Sequence, residues 1–473
     1  MKLFEPLTKD EIQRIHAESL DILENVGFKV QHEDTLKLLK SAGAVVDCKE
    51  KNVRIHESLV LELLRKAPSS FVLAARDPRN DFKVPGGRSY FCSSPAPYIV
   101  EGKTARLSTK SDAADWVRLG DYLKNIHLCI RTHVMDKPAE VRDLHGFEVS
   151  LNNTTKHVVG IPHSSGAAKY FNKMAAAVLG NEEILRKRAL FSTGACINSP
   201  LEWPSNALDV FMSTSEYNIP AHINSEPIMG VSSPVTIAGT LVINNAEILS
   251  GIVINQLYKE RRPCIYAVYT HAMNFKTAEV TSSGSNEALV AAAAAQLARF
   301  YNIPSSAWMC TNSKTVDAQS GFESMLTCAF MTLSGIDIIW GAGQLESQKS
   351  VSFEKLLIDN DLIEMMLRSL EDIEVSEDTL AADVIRKVGP KGKFLQEQHT
   401  MKYYLKEHPS TLITDYHNRR KWEKLGSRDI AEAARSKVEE ILRTHQPTPL
   451  PRDCQDHLKR ILSEYEKETL TSC

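Results

Sequence analysis

The feature that most constrains this chain is a repeated unit: a short apolar run that stops on a polar residue, followed by a helical stretch. Runs at 125–133, 156–163, 190–198, 220–226, 263–271, 303–312 and 337–346 each end on His, Asn, Glu or a similar group. Helical patterns at 139–152, 167–179, 205–217, 236–260, 285–301 and 317–334 separate them, and one at 353–370 follows the last. Counting 88–100, which precedes a helix at 111–124, as the first strand makes the total eight. Alternating strands and amphipathic helices imply right-handed parallel crossovers, and a unit repeated eight times closes more readily as a barrel than as an open sheet. The expected fold class is therefore α/β, a (β/α)8 barrel with its polar strand ends gathered at one mouth. The competing doubly wound sheet lacks a Gly-rich phosphate loop in a strand–helix context.

A chain of 473 residues exceeds the roughly 250 that such a barrel needs. The surplus reads as an N-terminal helical and short-strand layer at 1–87 and a C-terminal helical extension at 376–473, around a barrel at 88–375. A formal charge of −3 gives no bulk attraction for nucleic acid. The start Met1-Lys2-Leu3-Phe4-Glu5-Pro6 breaks its apolar stretch at once, against a signal peptide, and no run reaches the roughly 20 apolar residues of a membrane span. Nine scattered cysteines without a C-x-x-C pair point to reduced thiols and a cytoplasmic location, with Cys92, Cys129, Cys196, Cys264 and Cys310 read as small buried hydrophobes. They lack zinc-ligand spacing, so no protein-bound metal is expected. The basic run Arg419-Arg420-Lys421 reads as a solvated helix face.

The strand ends supply Tyr98, His133, His163, Asn198, Asn224, Glu226, Tyr269, His271, Asn312, Gln344 and Glu346. Any one of these could simply cap the next helix, but in a barrel all converge on one cavity. Tyr98, Tyr266, Tyr269, Trp308, Trp340 and Phe353 fall near the same mouth. For Trp308 and Trp340 core packing is the default role, yet aromatic walls also suit a quaternary ammonium, which donates no ordinary hydrogen bond. There is no G-x-S-x-G elbow, no H-E-x-x-H, no P-loop and no lysine placed for a Schiff base. Pattern alone gives a barrel enzyme with its reaction open.

Several ordered blocks go further. Glu226-Pro227-Ile228-Met229-Gly230 with Ser233-Pro234-Val235-Thr236-Ile237-Ala238-Gly239-Thr240-Leu241, Asn245-Ala246-Glu247, Thr311-Asn312-Ser313-Lys314 running into Asp317-Ala318-Gln319, Ser352-Phe353-Glu354-Lys355 and the late Gly389-Pro390-Lys391-Gly392 resemble the trimethylamine methyltransferase superfamily. The resemblance runs from the N-terminal helices to the Pro-rich tail. It implies a barrel whose mouth accepts a methylamine and docks a separate corrinoid protein. Founding members carry pyrrolysine; this chain is written in the ordinary twenty residues and so looks like the branch without it. That branch demethylates quaternary amines such as glycine betaine, proline betaine, carnitine or γ-butyrobetaine.

On this resemblance the expected reaction moves a methyl group from a quaternary amine to Co(I) of cobalamin on a cognate corrinoid protein, releasing a tertiary amine. By position, Tyr98, Tyr269, Trp308 and Phe353 would surround the ammonium. Asn198, His133, His163 and Gln344 would meet a carboxylate or hydroxyl, with Arg131 joining them if it points inward. Glu226 and His271 would position substrate or face the corrinoid. Asn312, Asp317 and Gln319 are assigned to the cofactor side, although the Asp317–Gln319 block reads equally well as a helix cap. The added layers offer surface for a homodimer. Alternatives are another methylamine donor, which needs a proton for its leaving amine, a lyase or hydrolase without corrinoid, and a betaine-sensing module.

Overall fold

The structure is a computed structural model that describes residues 3–408 and 411–471. Eight parallel strands close a barrel in chain order: β1 (Tyr90–Ser93), β2 (Leu128–Cys129), β3 (His157–Val159), β4 (Phe191–Cys196), β5 (Ala221–Ser225), β6 (Cys264–Val268), β7 (Ser305–Trp308) and β8 (Ile338–Ala342). Closure is made by β8 on β1, with Ile338 opposite Tyr90 and Ile339 opposite Phe91. The helices that follow are α1 (Lys110–Tyr122), α2 (Arg142–Asn153), α3 (Ser165–Leu179), α4 (Ser205–Ser215), α5 (Ile237–Tyr258), α6 (Ser285–Phe300), α7 (Ala318–Leu333) and α8 (Phe353–Ser369).

Alternation along each strand divides the side chains between axis and outer layer. Tyr90, Cys92, Leu128, Ile130, Val159, Ile265, Ala267 and Ile338 fill the axis. Phe91, Cys129, Ala307 and Ile339 take the other parity and pack with Trp116, Val117, Leu356 and Leu357 of the helices. A hairpin of Phe71–Leu73 and Phe82–Val84 adds Leu73, Phe82 and Val84 to the axial cluster, and the Phe82 ring lies 4.2 Å from that of Tyr90. This hairpin plugs the N-terminal end, so only the opposite end is left for chemistry.

Two layers flank the barrel. Helices Lys9–Asp21, Glu33–Ser41 and Glu57–Lys66 share one buried cluster with α5 and α6 through Ile12, Leu36, Val60, Leu249, Ile252 and Leu297. The 22 residues of α5 are long and apolar enough to cross a membrane, contrary to the expectation that no stretch reaches that length, but most of the helix is buried inside the fold. At the other end, Ile430–Thr444 buries Ala434, Val438 and Ile441 in the cluster of α1 and α8, and Arg452–Leu470 buries Leu458, Ile461 and Tyr465 in that of α2 and α3. Asp361 anchors the intervening segment by accepting from the backbone N–H groups of Leu412 and Ile413. The helix Arg419–Lys424 is exposed on its basic face.

Candidate active site

At the open end the β7–β8 register places Trp308 directly beside Trp340, and their rings stack 5.5 Å apart at 30°. Tyr269, one residue past β6, meets Trp308 edge-on at 5.2 Å and lies 6.1 Å from Trp340. Its hydroxyl is 3.2 Å from Ser306 Oγ. The backbone is shaped to seat these rings: Gly341 has φ +106°, and a Cβ there would fall 2.0 Å from the Met309 carbonyl and 2.6 Å from Trp308 Nε1. The β8–β1 register shifts between Ile339 and Ala342, a bulge that re-aims side chains at a functional rim.

β4 and β5 supply a polar wall. Gly194 leaves space where a Cβ would meet only Asn224 Nδ2 at 3.1 Å and Ile161 Cδ1 at 3.9 Å. Cys196 Sγ lies 3.6 Å from Glu226 Oε1 and accepts from Asn224 Nδ2 at 3.2 Å. Thirteen buried side-chain polar atoms among the described residues lack a hydrogen-bond partner, and five of them belong to strand-end residues: Thr132 Oγ1, Asn224 Oδ1, Trp308 Nε1, Trp340 Nε1 and Gln344 Oε1. Buried polar groups are normally paired, so these five atoms leave unmet hydrogen-bonding capacity at the mouth.

Burial disfavours the charged form of the titratable groups around it. Burial raises the Glu226 carboxyl above its ordinary range. The walls of the mouth, and then the neighbouring Glu226, raise the Cys196 thiol. Burial lowers His271 to about 4; burial, then the charge of Arg131, lowers His133 to about 3. A cation entering here meets π faces and polar groups whose charged forms burial disfavours.

Of the sequence candidates, Tyr269, Trp308, Glu226 and Gln344 occupy this mouth. Gln344 is buried, with its Nε2 3.5 Å from the Thr311 carbonyl. His133 is half-buried at the end of the β2 loop; His163, exposed, is tied by its backbone N–H to Asp143 at 2.9 Å. Asn198 is exposed and its backbone pairs twice with Glu202. His271 lines a small cavity next to Trp308 and bonds Ser282 Oγ at 2.8 Å.

Other candidates lie elsewhere. Phe353 starts α8 and stands 5.5 Å edge-on to Trp116 in the outer core, because it follows a helix N-cap at Ser352 rather than a strand. Tyr98 is 41% exposed on an outer strand, Tyr98–Glu101, paired with Ser350–Val351 and Thr104–Leu107. Tyr266 faces outward and donates to Asn245 Oδ1 at 3.0 Å. Arg131 shares the parity of Cys129, so its side chain runs outward onto α2, where a Cβ on Gly146 would fall 2.1 Å from its Nε.

The three residues assigned to the cofactor have structural partners instead. Asn312 accepts from Ser282 N at 3.0 Å and Ser347 Oγ at 2.7 Å, and donates to the Ser283 carbonyl at 3.0 Å. Asp317 caps α7, accepting from Ser320 N at 2.9 Å, and exposed Gln319 donates to Glu323 at 3.1 Å. Cys196, expected to be buried packing, is open to solvent at the mouth. Asn224 and Trp340, read from the strand ends as lying near the mouth but given no role, stand in it, and Thr132 and Gly194 are mouth residues that the strand ends did not supply. Counting back by twos from Asn198 reaches Cys196 and Gly194, so strand parity was the signal that could have found them.

Comparison with known proteins settles the family. The family model described as trimethylamine methyltransferase (MTTB) matches residues 1–469. The chain belongs to the trimethylamine methyltransferase family. Relatives include the trimethylamine methyltransferases MttB of Desulfitobacterium hafniense (strain DSM 10664 / DCB-2), 34% identical over 97% of this chain and 93% of its own length, and of Methanosarcina barkeri (strain Fusaro / DSM 804), 34% identical over 97% and 95%. The glycine betaine methyltransferase of D. hafniense (strain Y51) is 31% identical over 98% of this chain and 97% of its own. Among solved structures, the M. barkeri monomethylamine methyltransferase (MtmB) superposes with a TM-score of 0.52 over 93% of this chain and 96% of that one, at 15% identity, a likeness of fold. Membership makes this barrel a methyltransferase, and the family blocks prove to be the braces of its mouth. Glu247 accepts from Ser199 Oγ at 2.8 Å, Leu201 N at 2.9 Å and Ser225 Oγ at 2.5 Å, and Asp359, paired with buried Lys355, accepts from Gly343 N at 2.8 Å.

Proposed function

We propose that this enzyme removes one methyl group from a quaternary amine of the betaine type and passes it to a corrinoid carried by a partner protein. The observation that carries the reading is the wall of Tyr269, Trp308 and Trp340 set among unpartnered polar atoms at the barrel mouth. A quaternary ammonium offers no N–H, so π faces are its natural partners. Its leaving group is a neutral tertiary amine, and neither a proton donor nor a covalent handle is required. The cobalt(I) of the partner's corrinoid is the methyl acceptor. A side approach for it is supported by Gly194, which lacks a side chain, and by Cys196 and Asn198, which are open to solvent.

The chain's own residues then bind, orient and shield. Trp308, Trp340 and Tyr269 hold the ammonium, while Gln344 inside and Asn198, His133 and His163 on the rim meet the carboxylate or hydroxyl end. Positive charge on nitrogen fades in the transition state, so a strong anionic partner would favour the ground state over it. Burial disfavours the charged form of the Glu226 carboxyl, which lessens that penalty. Fixing the methyl group in line with its acceptor supplies the rest of the acceleration.

The test mixes the enzyme with a reduced corrinoid protein and a panel of glycine betaine, proline betaine, carnitine, γ-butyrobetaine and trimethylamine, and follows the visible spectrum of the cobalt. Methylation dependent on one of the betaines supports the reading. Methylation by trimethylamine alone would replace it with a tertiary-amine enzyme, and turnover of a betaine without corrinoid with a different chemistry.

A further inference from the structure

A line of polar side chains runs through the barrel axis from the N-terminal plug to the aromatic wall. His157 Nδ1 lies 2.6 Å from the carbonyl of Ala74, the residue that follows the first strand of the plug hairpin. His157 Nε2 is 3.1 Å from Ser192 Oγ, which is 3.3 Å from His222 Nε2. His222 Nδ1 is 3.5 Å from Ser306 Oγ, and that oxygen is 3.2 Å from the Tyr269 hydroxyl. Both imidazoles have 0% exposure, and neither forms an ion pair among the described residues. A buried, unpaired imidazole is neutral, with one donor and one acceptor nitrogen.

One end fixes the direction of the whole line. A carbonyl only accepts, so His157 Nδ1 carries the proton and its Nε2 must accept from the Ser192 hydroxyl. With that proton committed, Ser192 Oγ can only accept from His222, which makes His222 the Nε2–H tautomer. Its Nδ1 then accepts from Ser306, and Ser306 Oγ accepts from Tyr269. No member can reverse without leaving a buried group unpaired.

We propose that this directed chain makes His222 and Ser306 positioning residues for the methylammonium site, by committing the Tyr269 O–H inward and locking its ring against Trp308. His222 also stands edge-on to Trp340 at 5.1 Å, so it braces two of the three rings. The wall therefore offers its ligand the Tyr269 ring face and oxygen lone pairs, and no phenolic donor. The functional half of this inference rests on the betaine reading above.

Nitrogen-15 spectra of the ligand-free, histidine-labelled protein at pH 7, assigned with His157→Gln and His222→Gln, test the chain. The expected result is two neutral rings of opposite tautomer, Nδ1–H for His157 and Nε2–H for His222; the same tautomer in both, or a cationic ring, overturns it. The second measurement is a double-mutant cycle in glycine betaine affinity. Ser306→Ala and Tyr269→Phe each should weaken binding about fivefold, with the double variant no worse than either, because both cut one link. Effects that multiply to about 25-fold would mean that the two residues act separately and overturn the positioning role. The tautomers are read without ligand, so failure of every betaine to bind would remove the functional reading and leave the directed chain in place.

Discussion

At the level of single residues, the site separates into side chains that face the mouth and side chains that only lie close to it in sequence. Trp308 and Phe353 make the contrast measurable. Trp308→Ala removes a desolvated cation–π partner worth ~2 kcal/mol, about 30-fold in affinity, and glycine betaine titration should show that loss with the fold intact. Phe353→Ala should leave affinity unchanged and lower unfolding free energy by roughly 2–3 kcal/mol, less than a fully buried ring would, since Phe353 is half-buried against Trp116. Weaker binding in Phe353→Ala at unchanged stability would return that ring to the site. Gly194→Ala reverses the pattern: Asn224 can yield the few tenths of an ångström required, so thermal stability should hold while the added methyl occupies ligand space and raises KM several-fold. An unchanged KM would show that substrate does not reach β4. Sequence order identified Tyr269, Trp308 and Gln344 because they end strands. It could not separate them from Tyr98 or Phe353, which stand equally near strand ends but belong to an outer hairpin and a helix start. Arg131 went the same way through the alternation of β2, visible only once the inward parity of Leu128 and Ile130 was fixed.

Among elements, the eightfold alternation was fully legible, since each strand and helix carries its own periodicity, and β1 through β8 fall inside the runs read from sequence. The braces around the mouth were not. They depend on long-range hydrogen bonds such as Asn312 to Ser283 and on a backbone turn that no composition signals. Glu346, Ser347 and Gln348 are three consecutive residues at φ 53°, 52° and 75°, a left-handed turn that costs roughly 1–2 kcal/mol per residue. It persists because Glu346 N donates to the Ser313 carbonyl at 2.8 Å, Ser347 N to that of Thr311 at 2.9 Å, and Ser347 Oγ to Asn312. Strain of this kind clusters where a side chain must be presented, here Gln348 beside Trp308 and Cys310. Asn312→Ala should therefore act locally: amide exchange at Glu346 and Ser347 should accelerate at least tenfold, with about 1–3 kcal/mol lost from the unpaired groups. A fall in melting temperature with exchange at those two amides unaltered would show that the turn holds itself.

Across the whole molecule, the same burial that disfavours charge at the mouth makes stability depend on pH. Desolvation lowers His127, His133 and His222 to about 3 and His157 and His271 to about 4, against an ordinary value of 6.5. In the unfolded chain these five rings bind protons near pH 6.5; in the folded one they stay neutral until far lower pH. Between those values the unfolded state holds more protons, so folding free energy declines as pH drops. For His157 or His271 alone the difference is ~3 kcal/mol, fully present above pH 6.5 and gone by about pH 4. Buried carboxyls shift the other way: Glu226, Glu247 and Glu287 are raised by burial, so they favour the folded state as pH falls toward their unfolded values and blunt the decline. The five imidazoles titrate between those values and set the expected sign. Melting temperature should be level above pH 7 and fall continuously from pH 6.5 to 4.5. Replacing His271, whose ring has one hydrogen-bond partner among the described residues and lies beside a cavity, with Gln should flatten that curve without abolishing the fold. A melting temperature that stays constant from pH 7 to 4.5, with the His271→Gln curve superimposable on it, would mean that the folded protein takes up as many protons as the unfolded chain, and the depressed imidazoles would have to be abandoned.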